Sequence, residues 1–338
     1  MVSFFSAQGK WNYTAGEMDQ IKVDEKIIRR LKKNVRFVKT GQIFFTDNAI
    51  QHIEDDILYM NGNTMMINGL DTLTCDSMVY WSELDSGYAM GNVDYLQPEN
   101  GRHLMTELFH YKQTEGYRGL SFKTIGYTQV IENNQIITAN KISYNDDTQI
   151  MKMEIDASIT TPTQGISGNE MIIQYMDSLI KEVNVITNAF AYNDLNIKIK
   201  DDGPYWGFRD EMSSKEMKVH FKKNNITQLE LRNMATTLYH VVDDSLLAGN
   251  NEASGDSICV DFMDGDISQI QVMGGALGEF KPESNNSQID TTIFYGAEYF
   301  DYHVNDEKTF LSNGAYVEYE NTKLSSGKII VDWKTNIL

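Results

Sequence analysis

The sequence contains little cysteine and little proline. Of its 338 residues, 2 are cysteine and 4 are proline. Cys75 and Cys259 lie far apart and belong to no CxxC or Cys/His cluster, so the sequence predicts neither a disulfide framework nor a zinc site. Proline is excluded from central strands, and we therefore expect the four prolines in turns, at sheet edges or at bulges.

Long apolar runs and positive charge are also scarce. No run approaches the roughly 18 consecutive apolar residues that a membrane-spanning helix needs, so we expect no such helix. Lys and Arg number 29 against 48 Asp and Glu, which gives a formal net charge of -19. Because this charge would repel a phosphate backbone, the sequence predicts an acidic, solvated exterior and no nucleic-acid partner.

Motifs of catalysis and metal binding are missing as well. The 6 histidines show neither HExxH nor paired metal-ligand spacing. The segment "GISG" at 165 to 168 is not a GxSxG elbow, and "DFMDGDIS" lacks the spacing and the terminal Glu of an EF-hand. We expect no metal, no cofactor and no enzymatic activity.

Strand-forming residues dominate what is present. The chain has 18 Tyr and 15 Phe, and Asn, Asp, Thr and Ser occur in short clusters between apolar segments. This composition is typical of an all-β protein with many short turns.

Two short patterns recur along the chain. One ends on an aromatic residue, and its members recur at intervals of roughly 31 to 46 residues. They are "LTCDSMVY" (Tyr80), "HLMTELFHY" (Tyr111), "IITANKISY" (Tyr144), "ISGNEMIIQY" (Tyr175), "SSKEMKVHF" (Phe221), "ASGDSICVDF" (Phe262) and "FYGAEYFDY" (Tyr302). The other pattern falls between them, at Gly62, Gly91, Asp156, Asn188, Asn233, Gly274 and Asn313. Together they predict about nine repeats, each made of two extended passes.

The prolines and the apolar parity support this repeat. Pro98, Pro162, Pro204 and Pro282 all fall in one phase, between the two passes, where turns are expected.

In the pass that ends at Tyr80, Leu73 and Cys75 have one parity and Met78 and Tyr80 have the other. Since side chains alternate between faces, a bulge or corner at the intervening acidic residue would return both pairs to one face. We predict bent strands that wrap a single apolar concavity.

One segment, "VDEKIIRRLKKN", allows either an amphipathic helical turn or a strand. It continues directly into "NVRFV", which occupies the phase of the "GNV" pass, and this favours a strand.

The repeated pattern resembles the OstA-like family, the periplasmic lipopolysaccharide-transport proteins related to LptA and to the N-terminal domain of LptD. The family pattern is "GNV" followed by "L-x-A-D-x-x-x-Y". It is seen here in "GNVDY", "LTCDSMVY" and "IITANKISY", and residues of about 20 to 338 carry the repeat. The sequence departs from the pattern at Asn34, where "KKN" replaces "GN", and at the small position, occupied by Cys75, Thr106, Gly168 or Gly255.

The resemblance implies an elongated, open β-jellyroll, a trough of bent antiparallel strands whose apolar interior shields acyl chains. It also implies a periplasmic location in a Gram-negative-type bacterium and transport of lipopolysaccharide or another acylated glycolipid toward the outer membrane. Array ends leave unpaired edges. We therefore expect inner- and outer-membrane jellyroll partners, or a second copy end to end, to add strands near Val23 to Val38 and near Tyr316 to Ile337.

The expected division of the chain is a tail at residues 1 to 19, left by an export signal or an expression vector, followed by one continuous repeat domain at 20 to 338. The lipid-contacting face is predicted from residues that share one repeat phase. They are Met78, Tyr80, Val93, Tyr95, Phe109, Tyr111, Ile142, Tyr144, Ile173, Tyr175, Val219, Phe221, Val260, Phe262, Phe300 and Tyr302.

Two other functions remain open. One is a structural or adhesive β-array, in which the same aromatic residues only pack the core. The other is a polysaccharide-active enzyme on a parallel β-helix, which would need shorter, parallel rungs and an acidic site that stands out on one rung.

Overall fold

The computed structural model describes residues 2–4, 11–39, 41–115, 119–132, 134–176, 179–223, 225–243, 246–264, 266–283 and 291–333. The chain divides into two compact units, residues 1–157 and 158–338, which are considered separately. In the described residues the regular structure is β-strand, apart from one 3₁₀ turn at Pro98–Asn100. The predicted all-β fold class is confirmed.

The first unit is an antiparallel meander. Its strands are β1 (Val2–Phe4), β2 (Asn12–Ala15), β3 (Glu17–Val23), β4 (Lys26–Lys39), β5 (Gln42–His52), β6 (Ile57–Asn68), β7 (Asp71–Trp81), β8 (Ser86–Gln97), β9 (Arg102–Gln113), β10 (Leu120–Ile125), β11 (Thr128–Glu132), β12 (Gln135–Ala139), β13 (Lys141–Asn145) and β14 (Ile150–Thr160). From β4 to β9 each strand pairs with the next. The pairs β2 with β3, β10 with β11, and β12 with β13 are single passes interrupted at one point.

The second unit repeats this order with longer strands. They are β15 (Gln164–Met176), β16 (Leu179–Lys198), β17 (Tyr205–Lys222), β18 (Asn225–Asp243), β19 (Leu246–Met263), β20 (Asp266–Pro282), β21 (Ile293–His303), β22 (Lys308–Tyr319) and β23 (Thr322–Asp332). Each strand pairs antiparallel with the next. The long spacings from Tyr175 to Phe221 and from Phe221 to Phe262 thus come from the longer strands β16 to β19.

A two-residue corner interrupts alternate strands at the predicted repeat phase. Both residues of the corner have positive φ in β6 (Gly62 and Asn63), β8 (Gly91 and Asn92), β18 (Asn233 and Met234) and β20 (Gly274 and Gly275). The corner at Lys33 and Asn34 has the same conformation, so the departure from "GN" there does not change the backbone. At each of these corners the register shifts against the neighbouring strand. Glycine and asparagine suit this phase because they tolerate the left-handed region best.

The acidic residue of the other pass lies against the corner. Asn63 Nδ2 donates to Asp47 Oδ2 at 2.8 Å, and Asn92 Nδ2 donates to Asp76 Oδ2 at 2.9 Å. A Cβ on Gly91 would lie 2.3 Å from Asp76 Oδ2, so a glycine is required there by space as well as by φ. The "GN" and acidic positions of the repeat are therefore in contact across adjacent strands and together form each corner.

The predicted change of parity occurs at the acidic residue. In β7, Leu73, Cys75, Met78 and Tyr80 are all buried, whereas Asp76 is exposed. The bulge thus places apolar side chains from both parts of a strand on one face, as the sequence predicts. The bulges and corners divide the strands of each unit into two sets of segments, which form two halves of the unit. In the first unit, half A contains residues 26–32 of β4 and the segments paired with them, and half B contains residues 35–39 and their paired segments.

The predicted turns are confirmed at three of the four prolines. Pro98, Pro162 and Pro204 lie between strands, and Pro282 is the last residue of β20. The segment "VDEKIIRRLKKN" is a hairpin and not a helix. Asp24 and Glu25 form its turn with φ of 47° and 68°, and β4 follows.

The predicted N-terminal docking position is wrong. Most of Val23 to Val38 belongs to β4, which pairs with β2 and β3 on one side and with β5 on the other, so its backbone groups are already used. In the described residues the free long edge of the first unit is β3. At the other end of the chain β23 pairs with β22, and the described strands provide no neighbour on its second side. Residues 334–337 of the predicted C-terminal position lie outside the described residues.

The predicted division at residue 19 and the single continuous repeat domain stay predictions. Within the first 19 residues the structure describes residues 2–4 and 11–19, and β2 pairs with β4 through residues 12–14.

Candidate functional site

The predicted residues of the first unit lie in cross-strand rows on the inner face. Tyr80 is in register with Gly87, and Gly87 with Tyr111. Tyr111 pairs with Phe122, which pairs in turn with Tyr144. A second row joins Met78, Ala89 and Phe109 in the same way. The spacing of the sequence patterns therefore corresponds to real neighbours across the sheet.

These side chains are buried by contacts between the two halves. The rings of Phe44 in half B and Tyr80 in half A have centroids 4.9 Å apart, and those of Tyr95 and Phe109 are 5.5 Å apart. Tyr111 Oη donates to Met66 Sδ at 3.2 Å. Phe109 and Ile142 are 0% exposed. An acyl chain could reach this face only if the halves move apart, exchanging contacts between side chains for contacts with the chain.

In the second unit the predicted residues are less uniformly enclosed. Ile173, Tyr175, Val219, Val260 and Phe300 are buried. Phe221, Phe262 and Tyr302, which end their passes, are partly exposed.

The rows of the second unit also follow a different register from the one expected. Tyr302 is in register with Ile270, and Ile270 with Val260, so Tyr302 does not lie opposite the position of Phe262. A further irregularity between β19 and β20 at Asp261 and Phe262 pairs Phe262 with Ile267, so Phe262 and Tyr302 lie in different rows.

Sequence reasoning missed one pass of the repeat. Gly126, with φ of 91°, forms the corner between β10 and β11 opposite Glu107. Phe122 and Val130, which flank it, are buried on the inner face. The signal was the short segment "IGYTQVI", in which glycine is followed by alternating polar and apolar residues. It begins later after the preceding aromatic residue than the other members do, and it was not aligned with them.

Polar side chains form hydrogen bonds near the ends of the strands, at the margin of the inner face. Tyr80 Oη donates to Gln42 Oε1 at 2.9 Å and to Asp85 Oδ1 at 2.6 Å as alternative acceptors. Trp11 Nε1 donates to Ser82 Oγ at 3.2 Å, and Lys39 donates to the same oxygen. Burial raises the pKa of the Tyr80 hydroxyl, and the hydrogen bond to Asp85 raises it further. Hydroxyl, amide and carboxylate groups thus lie at the margin of the apolar rows.

A shallow hollow of about 290 Å³ lies on half A of the first unit. Ile50 and Tyr59, both exposed, form part of its lining with Val79 and Met90. Met60 and Met78, which have the opposite parity, also line the hollow, and Met78 belongs to the predicted face.

Titratable side chains occur in pairs on adjacent strands. His103 Nε2 lies 2.9 Å from Asp94 Oδ1, and His220 lies between Glu182 and Glu230. One largely buried pair is His240 with Asp210, whose Nδ1 and Oδ1 are 2.9 Å apart. Burial raises the pKa of Asp210, and its hydrogen bonds from His240 partly offset this effect.

Within the described residues, no group of three or more His, Cys, Asp or Glu side chains has the geometry to hold a metal ion. No helix in this part of the chain is long and apolar enough to cross a membrane.

These features define the class as an all-β protein in which bent antiparallel strands enclose an apolar interior. Among solved structures, the chain is similar to LptH from Pseudomonas aeruginosa, described as the LptA homologous periplasmic component of the conserved lipopolysaccharide transport device. The match has 11% sequence identity and a TM-score of 0.29, and it covers 41% of this chain and 82% of LptH. No protein-family model and no curated protein matches the chain.

Proposed function

We propose that the protein is a non-enzymatic lipid carrier that holds the acyl chains of lipopolysaccharide, or of a related glycolipid, between its half-sheets in the periplasm. The observation that carries the proposal is the set of apolar rows that runs from strand to strand at one repeat phase. A catalytic site would single out one strand, whereas these rows repeat the same chemistry on many.

The energetics of such a face suit transfer along it. Apolar surface removed from water contributes about 25 cal/mol per Å², and each buried CH₂ of an acyl chain about 0.8 kcal/mol. Side chains of similar character on successive strands give neighbouring positions similar affinity. No deep minimum then stops a chain from moving from one position to the next.

The separation of the halves is part of this proposal. Contacts such as Phe44 with Tyr80 hold the inner face closed, and an entering chain replaces them. Since both arrangements bury apolar surface, the net cost of exchange is much smaller than that of exposing the face to water.

Photo-crosslinking tests the proposal directly. A benzophenone side chain at Phe109, Ile142, Ile173 or Val260 should label copurifying glycolipid in cells. The same probe at the exposed turn residues Glu99 and Thr163 is the matched control and should not label it. Gln97, the last residue of β8 before the turn that contains Glu99, is unsuitable as a control because it is 3% exposed and hydrogen-bonded to Asp71 and Arg102. If the turn sites label lipid and the inner sites do not, the assignment of the face is wrong. Absence of label at all sites in folded protein would favour a purely structural β-array.

We further propose that partners of the transport machinery, or a second copy, extend the sheet at β3 and β23. Both edges carry exposed side chains, including Met18 and Leu324, each 42% exposed. Unpaired strand edges present rows of N–H and C=O groups that a partner strand can use. Crosslinkers at Met18 and Leu324 should capture jellyroll partners in cells, whereas one at Met234, in a corner of β18, should not.

A further inference from the structure

The inner row that contains Tyr80 includes an arginine close to the edge of the sheet. In this row Tyr80 is in register with Leu58, Leu58 with Gln51 on β5, and Gln51 with Arg29 on β4. The position beyond Arg29, on the edge strand β3, is Gln20. Arg29 has the parity of Leu31, which is 1% exposed, and Gln51 is 6% exposed. At the N-terminal end of the first unit, therefore, a cation and an amide stand where the other strands carry Leu58, Tyr80 and Tyr111.

Arg29 has no anionic partner in the described part of the chain. Its Nη1 donates to Gln51 Oε1 at 2.7 Å, and its guanidinium lies 4.3 Å from the centre of the Tyr13 ring. Its Nε is buried and has no acceptor. An unmatched buried donor on a charged group is costly, and the guanidinium retains donors suited to an oxyanion.

Three neighbouring cations of the same hairpin have carboxylate partners, unlike Arg29. Lys26 lies 2.6 Å from Asp55, Arg30 lies 3.9 Å from Asp19, and Lys33 is paired with Glu17. The nearby Glu54 is also engaged, since its Oε2 accepts a hydrogen bond from the backbone N of Ile27 at 2.7 Å. In a protein with a formal net charge of -19, an inward-facing arginine without a carboxylate partner is unexpected.

We propose that Arg29 and Gln51, with Tyr13 against the guanidinium face, form a site for the phosphoryl group of an acylated amphiphile whose chains lie on the adjoining apolar rows. The inference rests on the proposed function and adds to it a headgroup contact and a position along the sheet. Arginine suits this role because its planar fork binds phosphate through two parallel hydrogen bonds. The amide of Gln51 keeps the guanidinium in place without neutralising it.

Calorimetric titration of the whole chain with three probes tests this site. The probes are dodecyl phosphate, dodecyl maltoside and inorganic phosphate, with each amphiphile kept below its micellar concentration. We expect Arg29→Gln to weaken binding of dodecyl phosphate by about tenfold, the loss of one charge-assisted hydrogen bond, and to leave dodecyl maltoside unchanged. Arg29→Lys should lose less, because it keeps the charge. The matched control Arg30→Gln, next in sequence but on the outer face, should change neither.

The other outcomes separate this site from the proposed function. If Arg29→Gln weakens both amphiphiles equally, or neither, Arg29 does not recognise the phosphoryl group and the inference is overturned. If inorganic phosphate binds as tightly as dodecyl phosphate, the site takes free anion, and its link to acyl chains is refuted. If wild type binds neither amphiphile, the proposed function itself is contradicted, and this inference is refuted with it. Thermal unfolding of the Arg29→Gln and Arg29→Lys variants identifies any loss that comes from misfolding.

Discussion

At the scale of single residues, the corners show how closely conformation and space are linked. Gly91 and Gly41 both have positive φ, 73° and 80°, but only Gly91 lies against another residue, Asp76. An alanine at either position adopts an unfavourable backbone conformation. At Gly91 it must also displace the carboxylate that accepts the hydrogen bond from Asn92.

We expect Gly91→Ala to reduce the free energy of unfolding by about 1–3 kcal/mol more than Gly41→Ala, because overpacking adds to the backbone strain that both share. Urea denaturation of the two variants, compared by midpoint and slope, measures the difference. Equal losses would mean that the aspartate moves aside at no cost and that φ alone selects glycine.

Asp210 provides a second residue-scale prediction. Its pKa is raised in the folded protein, so the folded state binds a proton at this carboxyl more strongly than the unfolded state does. The associated stability is fully present below the ordinary pKa of aspartate and is lost as pH rises through the raised value. Asp210→Asn removes this dependence while keeping an oxygen that can accept from the backbone N of His240.

We therefore expect the stability of wild type relative to Asp210→Asn to fall as pH rises from 3 to 6. Chemical denaturation at several pH values across this range measures the difference. A difference that grows with pH would show that the ion pair with His240 outweighs the burial of the carboxyl.

At the scale of the strand, a corner turns one long strand into two segments whose buried faces meet. Phe109 illustrates the result. It lies in β9 after the parity change, and its ring is 5.5 Å from Tyr95 in half B and 5.6 Å from Phe122 on the neighbouring strand. Removing such a ring leaves a cavity between two layers that the remaining side chains fill only in part.

Phe109→Ala should cost about 3–5 kcal/mol of unfolding free energy. Met234→Ala, in a corner where the side chain is 84% exposed, should change it by less than about 0.5 kcal/mol. Denaturant titrations of both variants provide the comparison. A small loss at Phe109 would indicate that the halves are loosely packed, and would favour an interior that opens readily to acyl chains.

At the scale of the whole molecule, the net charge of -19 sets the response to ionic strength. A protein of this charge repels an anionic glycolipid at long range, even where one arginine attracts it locally. The Debye length falls from about 30 Å at 0.01 M salt to about 8 Å at 0.15 M, so salt should remove most of this repulsion.

Affinity for lipopolysaccharide should accordingly rise between 0.01 M and 0.15 M salt, whereas affinity for uncharged dodecyl maltoside should change little. Fluorescence titrations of both ligands at the two salt concentrations test this expectation. A fall in lipopolysaccharide affinity with salt would show that local cations, and not the overall charge, dominate the encounter.

The sequence by itself determined the local features. The bend is predicted at the acidic residue of one pass and not at Gly62, Asn63, Gly91 and Asn92, although glycine and asparagine suit these corners because few other residues adopt positive φ at low cost. The change of parity around Asp76 predicts a bulge, since side-chain alternation leaves no other way to bury both Leu73 and Tyr80 on one face. The pass at Gly126 was missed only because its spacing differs from that of the other repeats.

The tertiary structure decided which of these segments meet. The pairing of Phe262 with Ile267 depends on an irregularity between β19 and β20, which no local sequence pattern predicts. The contact of Phe44 with Tyr80 and the position of Arg29 in an inner row depend on pairings accumulated over several strands. Backbone conformation is set by neighbours in the chain, whereas register and the packing of two half-sheets are set by contacts distant in sequence, and these exist only once the strands have paired.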